Sequence, residues 1–179
     1  MGAPDPARHA PNTPFPPYRH APGRTPHPRK HPDGHSYNTE EYAGPPLTME
    51  NWRENQAYLY GVDLFNYGYW WEAHEAWEGL WGQEDKRSLC RGYLQGLIQM
   101  AAALVKWREG NRRGMEKLGG QARVKLKRVN GENPVYMGLR IAGFIREVEN
   151  ALAVAERVDP PLLRLSLPSI FPSDGAARA

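Results

Sequence analysis

Apolar residues recur at steps of three and four positions through most of the chain after Leu47, and no stretch alternates strictly between apolar and polar residues. The first spacing is typical of amphipathic helices, whereas alternation is typical of half-buried strands. The pattern therefore predicts an all-α fold, a compact bundle of about five helices joined by short loops.

Capping residues and glycines mark the ends of the predicted helices. The helices are expected from Thr48 to about Phe65, Tyr69 to Trp81, Asp85 to Glu109, Arg112 to Arg128 and Leu139 to Arg157. The fourth helix contains Gly114, Gly119 and Gly120. Each glycine costs up to about 1 kcal/mol in a helix interior, so a weak or broken middle is expected there. Asn130-Gly131 predicts a turn after that helix.

The two ends of the chain differ in composition from the helical domain, which is expected over residues 47–158. Residues 1–46 hold twelve of the seventeen prolines, five of the six histidines and almost no aliphatic residues. Such a segment buries too little apolar surface to offset its ordering entropy, which favours a disordered, solvated arm. A basic, proline-rich arm that meets a partner is the alternative. Residues 159–179 are rich in leucine, so part of this tail is expected to lie extended on the bundle.

Charge and cysteine content narrow the classes of function only slightly. The net charge is +3 with a pI of about 9.0, a mild excess. The basic fourth helix carries no nucleic-acid recognition motif, so a solvated face is expected and nucleic acid is not expected as a partner. The single cysteine, Cys90, favours a reducing, cytoplasmic setting. The chain has no run of about eighteen apolar residues, so no membrane span is predicted. A protein partner or a second copy of the chain is left open.

The candidate chemistry lies in the stretch WWEAHEAWEGLW at residues 70–81, with four tryptophans, one histidine and three glutamates. At 100° per residue, His74 falls in the same arc of the helix as Trp70, Trp77 and Trp81. His74 is also the one histidine after residue 46. We therefore expect its ring to face the bundle interior.

Two interpretations of this stretch stay open. In the first, His74 joins Glu72, Glu75, Glu78 and Gln99 in a buried polar network that fixes helix packing. In the second, His74, Glu75 and Glu78 bind a metal, or His74 acts as a general base. The spacing H-E-x-x-E lacks the second histidine of the metalloprotease motif, and di-iron bundles also need two histidines. No cofactor is therefore predicted, although a single divalent metal site is left open.

The segments LFNYGYWWEAHEAWEGLW, at residues 64–81, and GLIQMAAALVKWREGN, at residues 96–111, followed by GMEKL, are similar to a prokaryotic family. They resemble the domain of unknown function 309, whose hallmarks are an E-A-H-E helix start, G-L-I-Q and a G-N-x-x-G turn. The resemblance covers about residues 55–155. It implies an all-helical domain and no established activity. It also implies that Glu72, His74, Glu75, Glu78 and Gln99 belong to a shared signature.

These observations favour a small helical binding or scaffold module with a buried His/Glu/Gln network. The alternative is a metal-dependent or His/Glu-based hydrolase-type enzyme that uses the E-A-H-E helix. Whether the protein is an enzyme is left open. Cys90 is not expected to be a nucleophile, because no basic residue marks a partner for it.

Overall fold

The computed structural model describes residues 6–39, 44–154, 163 and 165–167, and its regular structure is almost entirely helical. The five helices are α1 (Gln56–Asn66), α2 (Trp70–Gln83), α3 (Leu89–Arg108), α4 (Arg112–Glu132) and α5 (Ile141–Ala153). Helix α3 packs against both α2 and α4, while α1 packs on α2 and α5 packs on α4. The predicted all-α bundle of about five helices is confirmed. Within the described residues, no helix has the length and hydropathy needed to cross a bilayer.

Two helices begin later than their capping signals predicted. The Thr48 hydroxyl accepts from the backbone N–H groups of Glu50 and Asn51 in a local turn, so it does not start a helix. Helix α1 begins instead after Asn55, whose side chain accepts from the N–H of Tyr58. Helix α3 likewise begins after Ser88 rather than Asp85. Several residues in each loop can cap a helix, and packing of the following apolar face selects one of them.

Helix α4 is continuous, which corrects the prediction of a weak or broken middle. Gly119 is buried, and a Cβ atom there would lie 3.0 Å from the side chain of Leu152 in α5. The glycine thus permits close approach of α5, and this packing offsets the propensity cost of about 1 kcal/mol. The Asn130-Gly131 pair, predicted as a turn, also lies inside α4, which continues to Glu132.

A small antiparallel hairpin precedes α5, although no strand was predicted. Strand β1 (Val135–Tyr136) pairs with β2 (Leu139–Arg140), and the turn between them is Met137-Gly138. Both turn residues have positive φ, 46° and 79°, which is the conformation of a tight type I′ hairpin turn. Strands of two residues are too short to leave an alternating pattern in the sequence.

Large aromatic side chains fill the centre of the bundle and connect α1, α2 and α3. Trp70, Trp77, Tyr58 and Tyr93 are all at most 1% exposed. The Tyr58 and Tyr93 hydroxyls lie 2.8 Å apart, and the Tyr58 hydroxyl also donates to the backbone carbonyl of Met137. The two buried hydroxyls are thus paired, as a low-dielectric core requires. The hydrogen bonds also tie the hairpin turn to the core.

The described residues of the C-terminal tail lie against α1. Leu163 and Leu165 are buried, and the backbone N–H and carbonyl of Leu165 both bond to the side chain of Asn66. The amide side chain of Asn66 therefore acts as a two-point clamp for an extended backbone. The rest of the expected tail, with the predicted end of the last helix at Arg157, lies outside the described residues.

Candidate functional site

The proline-rich N-terminal arm contains no helix or strand over residues 6–39, but it is packed against α1 and α2. This corrects the interpretation of these residues as a solvated tail. Composition counts aliphatic residues, and the arm instead buries His9, His20 and Pro28 and donates hydrogen bonds to carboxylates of the domain. Residues 1–5 and 40–43, which belong to the same predicted disordered arm, lie outside the described residues.

The first contact between arm and domain is centred on Asp63 of α1. Its side chain is completely buried, and its two oxygens accept from the backbone N–H groups of His9 and Ala10, each at 2.8 Å. The guanidinium of Arg8 donates to the same carboxylate at 2.9 Å. Among the described residues, every hydrogen bond of this carboxylate comes from the arm. A buried charge needs such partners, so Asp63 fixes the position of residues 8–10.

An aromatic patch made of Tyr60, Tyr67 and Tyr69 forms the second contact. Phe15 of the arm lies with its ring centroid 4.8 Å from that of Tyr67 and 5.0 Å from that of Tyr69. The Tyr60 and Tyr67 hydroxyls donate to the backbone carbonyls of Pro14 and Pro6. Burial raises the pKa of Tyr60 to about 12, so its hydroxyl stays protonated and can donate at neutral pH. Tyrosine rings and hydroxyls that hold proline carbonyls are typical of surfaces that recognise extended proline-rich chains.

Glu72, the first glutamate of the E-A-H-E motif, forms the third contact. It is 5% exposed, and its Oε1 atom accepts from the backbone N–H of His20 at 2.7 Å. The Nε2 atom of His35 lies 3.2 Å from the same oxygen. Its Oε2 atom is buried without a hydrogen-bond partner in the described part of the chain. Glu72 therefore accepts hydrogen bonds from the arm and makes none with α3.

Trp71 lies beside Glu72 and is enclosed by two arm histidines. Its ring centroid lies 5.2 Å from that of His20 and 5.4 Å from that of His27, both edge-on. Burial, followed by the nearby His27, lowers the pKa of His20. Burial likewise lowers the pKa of His9, although Asp63 acts in the opposite direction. Both histidines therefore favour their neutral form where the arm is docked.

The remaining residues of the motif, His74, Glu75 and Glu78, form a cluster on α2. The Nδ1 atom of His74 lies 3.3 Å from a Glu75 oxygen and 3.9 Å from a Glu78 oxygen. Arg29 of the arm donates to Glu75 at 2.9 Å. Burial raises the pKa of Glu75, but His74 and Arg29 more than offset it, so the pKa lies below its usual value. Glu75 is therefore held as a carboxylate between the His74 ring and the Arg29 guanidinium.

His74 occupies an intermediate position that differs from the expected interior one. Its side chain is 26% exposed, although the Nδ1 atom itself is shielded and lacks an aligned hydrogen-bond partner. The helical wheel placed His74 with the tryptophans, but Trp70 and Trp77 fill the interior. The ring therefore lies at an intermediate depth, beside Glu75 and Glu78.

Gln99 does not join this cluster, which corrects the predicted His/Glu/Gln network. Its side-chain amide donates to Gln121 of α4 at 3.3 Å. Helix α3 has two packed sides, and the sequence could not decide whether Gln99 faces α2 or α4. Lys106, farther along α3, pairs with Glu109 at 2.7 Å.

The residues that sequence reasoning missed are Arg8, His20, Arg29 and His35 of the arm and Asp63 of α1. Only Asp63 carried a usable signal, because it is a lone carboxylate in the apolar run LYGVDLF. A charge at a buried helical position needs a partner, and none is available nearby in sequence. The arm residues had no signal, since their contacts span 37 to 55 positions along the chain.

A nucleophilic role for Cys90 finds no support in its surroundings. The thiol is buried, and burial raises its pKa to about 12. Its Sγ atom lies 3.7 Å from the backbone carbonyl of Leu47. A thiol in this state is almost entirely protonated at neutral pH and does not act as a nucleophile.

Comparison with known proteins supports the resemblance drawn from the motifs. No curated protein matches the chain. The family model of the domain of unknown function DUF309 matches residues 58–118. These residues run from α1 into the first two turns of α4 and include Asp63, Glu72, His74 and Glu75. The arm lies before the matched segment. Over residues 58–118, the chain is therefore similar to the DUF309 family.

Proposed function

We propose that the domain is a binding module for an extended, proline-rich, cationic segment, and that its own arm occupies the binding groove in this chain. The groove consists of Asp63, the aromatic patch, Trp71, Glu72 and Glu75. The observation that supports this proposal is the origin of the hydrogen bonds that two buried carboxylates accept. Asp63 and Glu72 are buried, yet among the described residues their hydrogen-bond partners all belong to the arm.

A groove that served only the packing of the bundle would not need these groups. Polar residues that fix helix packing bond to neighbouring helices, as Tyr58 does with Tyr93. The groove carboxylates instead receive backbone N–H groups at His9, Ala10 and His20, which is recognition of main chain. Arg8 and Arg29 add side-chain recognition at two separate points. The groove therefore combines affinity from main-chain hydrogen bonds with selectivity from two cationic positions.

The proline content of the arm suits such an occupant. Proline fixes φ near −65°, so an unbound proline-rich segment has fewer conformations to lose on docking. Each proline also lacks an N–H group, which leaves the N–H groups of the intervening residues to meet the carboxylates. A protein partner that presents a similar segment would compete with the arm for the same groove.

Cleavage of the connection between arm and domain tests the proposal on the whole protein. A protease site replacing residues 40–43 would be cut after folding, and the two pieces examined by gel filtration at 0.15 M salt. We expect the pieces to elute together, and excess synthetic peptide of residues 6–39 to displace the bound piece. Separation of the cut pieces at micromolar concentration, with the domain still folded, would refute a binding groove.

The cluster of His74, Glu75 and Glu78 favours a second candidate function, metal-dependent chemistry. One ligand atom from each residue can be chosen so that all lie within 4.8 Å of one another. One nitrogen and two carboxylates suit Zn²⁺ and leave a coordination position for water, as in catalytic zinc sites. Arg29 competes with a metal for Glu75, so metal binding and arm docking would oppose each other.

A zinc titration of the cut protein separates the two candidates. Under metal-dependent chemistry, one equivalent of zinc would bind, His74→Ala would abolish that binding, and zinc would release the arm piece. Under the binding-module proposal, the arm piece stays bound with and without zinc. A lack of stoichiometric zinc binding would remove the second candidate and leave the first unaffected.

A further inference from the structure

A cationic cavity lies away from the arm, and none of its lining residues belongs to the groove. It has a volume of about 200 Å³ and opens between the loop before α3, the start of α3 and the C-terminal half of α4. Five of its lining residues are basic, namely Lys86, Arg87, Arg91, Lys125 and Arg128. No aspartate or glutamate is among its lining residues. The whole chain has a net charge of only +3, so this concentration of positive charge is local.

Most of these charges lack a neutralising carboxylate. In the described part of the chain, Lys86, Arg87 and Lys125 form no ion pair. Arg128 lies 3.5 Å from Glu132, but both side chains are more than half exposed. Such an exposed pair contributes little and exchanges readily for another anion.

Arg91 is held in place by contacts that leave its charge intact. Its Nη1 atom donates to the backbone carbonyls of Trp81 and Glu84, both at 2.9 Å. Its guanidinium also stacks over the Trp81 ring at 3.7 Å from the centroid. An arginine fixed by neutral acceptors is preorganised, so an incoming anion does not have to order it. This distinguishes the cavity from a patch of mobile surface lysines.

The floor of the cavity leaves room for a ligand. Gly92 lies in the first turns of α3, and a Cβ atom built on it would meet nothing within 4 Å. The N-terminal end of α3, with its partial positive charge, faces the same region. The volume of about 200 Å³ is smaller than the roughly 300–1,000 Å³ of a site that encloses a drug-sized ligand. It fits an anionic group rather than a large apolar molecule.

We infer that this cavity binds a small polyanion, a phosphate or diphosphate group carried by a small molecule. Like charges around one recess repel each other, and a multiply charged anion relieves that repulsion while accepting hydrogen bonds. A single recess around one fixed arginine favours a compact ligand. Nucleic acid instead contacts a continuous stripe of cations, whereas these five basic side chains surround one recess.

Titration of the full chain with pyrophosphate at 0.15 M salt, followed by calorimetry and thermal melting, tests this inference. We expect one site, stronger for pyrophosphate than for inorganic phosphate, and a rise in melting temperature on binding. Lys125→Gln should weaken binding about tenfold, because one charge-assisted contact is lost. Gly92→Glu should abolish binding by placing a carboxylate in the recess, and it should fold normally because the space is open.

Arg113→Gln is the matched control, because Arg113 is an exposed arginine of α4 that does not line the cavity. The control should bind pyrophosphate like the original protein. Absence of saturable pyrophosphate binding, or equal losses in Lys125→Gln and Arg113→Gln, would overturn the inference. So would single-stranded RNA that displaces pyrophosphate with an affinity that rises with RNA length, which would indicate a nucleic-acid surface instead.

Discussion

Asp63→Asn tests the groove at its most buried contact. The carboxylate is fully buried and accepts three hydrogen bonds from the arm, at 2.8 to 2.9 Å. An asparagine retains one oxygen, but its NH₂ group must face one of the donating N–H groups. The change therefore removes one or two hydrogen bonds to a charged group, worth about 1.5–3 kcal/mol each, and buries an unsatisfied donor. It also removes the negative partner of Arg8.

These losses sum to about 3–5 kcal/mol of docking free energy, or roughly 10²–10⁴-fold in the dissociation constant of the arm. The effect on the unfolding of the whole protein is capped, because an undocked arm returns Asp63 to water. The loss cannot exceed the free energy of docking itself. Arm affinity is therefore the quantity to measure, and global stability changes less.

The assay is the cut protein with the protease site at residues 40–43, in which dissociation of the arm piece is followed by tryptophan fluorescence and gel filtration. Trp71 reports on docking because it contacts His20 and His27. Asp85→Asn is the control, since Asp85 is exposed and its carboxylate accepts from the nearby backbone N–H of Arg87. An Asp63→Asn protein that retains the arm within twofold of the original affinity would refute the assignment of Asp63 as an anchor.

Three further predictions concern the arm histidines, His74 and Gly61. Burial lowers the pKa of His9 and His20 below 6.5, so the docked arm favours neutral rings. The affinity of the domain for the arm should therefore fall as the pH drops below about 6.5. A dissociation constant that does not change between pH 7.5 and 5 would contradict this. His74→Ala should cost less than about 1 kcal/mol in urea unfolding, because the ring is 26% exposed and makes no aligned hydrogen bond. A loss of about 3 kcal/mol or more would instead indicate a structural role. Gly61→Ala should destabilise the protein by about 1–3 kcal/mol, because its Cβ atom would overlap the buried Trp77 indole, and an unchanged melting temperature would show that α1 and α2 can shift apart.

The helices themselves could be derived from local sequence, because periodicity and caps act over a few residues. Helix α4 begins at Arg112 as predicted, with Asn111 as its cap, and Ile141, Phe144, Ile145 and Val148 of the last helix are buried. The exact starts of α1 and α3 could not be derived, since Asn55 and Ser88 compete with Thr48 and Asp85 as caps. The hairpin at Met137-Gly138 escaped prediction because two-residue strands carry no periodic signal.

The sequence motif identified most residues of the candidate site but not their contacts. The motif identified Glu72, His74, Glu75 and Glu78 as a group, and three of them do cluster at one edge of the groove. It could not show that Glu72 bonds to the arm, because that contact spans 52 positions. It also assigned Gln99 to the wrong helix pair, since either packed side of α3 satisfies the same periodicity.

The sequence by itself thus determined the class of fold, the approximate positions of five helices and the polar character of the E-A-H-E helix. Tertiary structure alone decided which partners those polar groups have. Helix formation depends on residues three or four positions apart, and these neighbours can be read directly from the sequence. The partners of a buried carboxylate depend on which distant segment reaches it. Here that segment is the proline-rich arm, whose few aliphatic residues gave no indication that it packs at all.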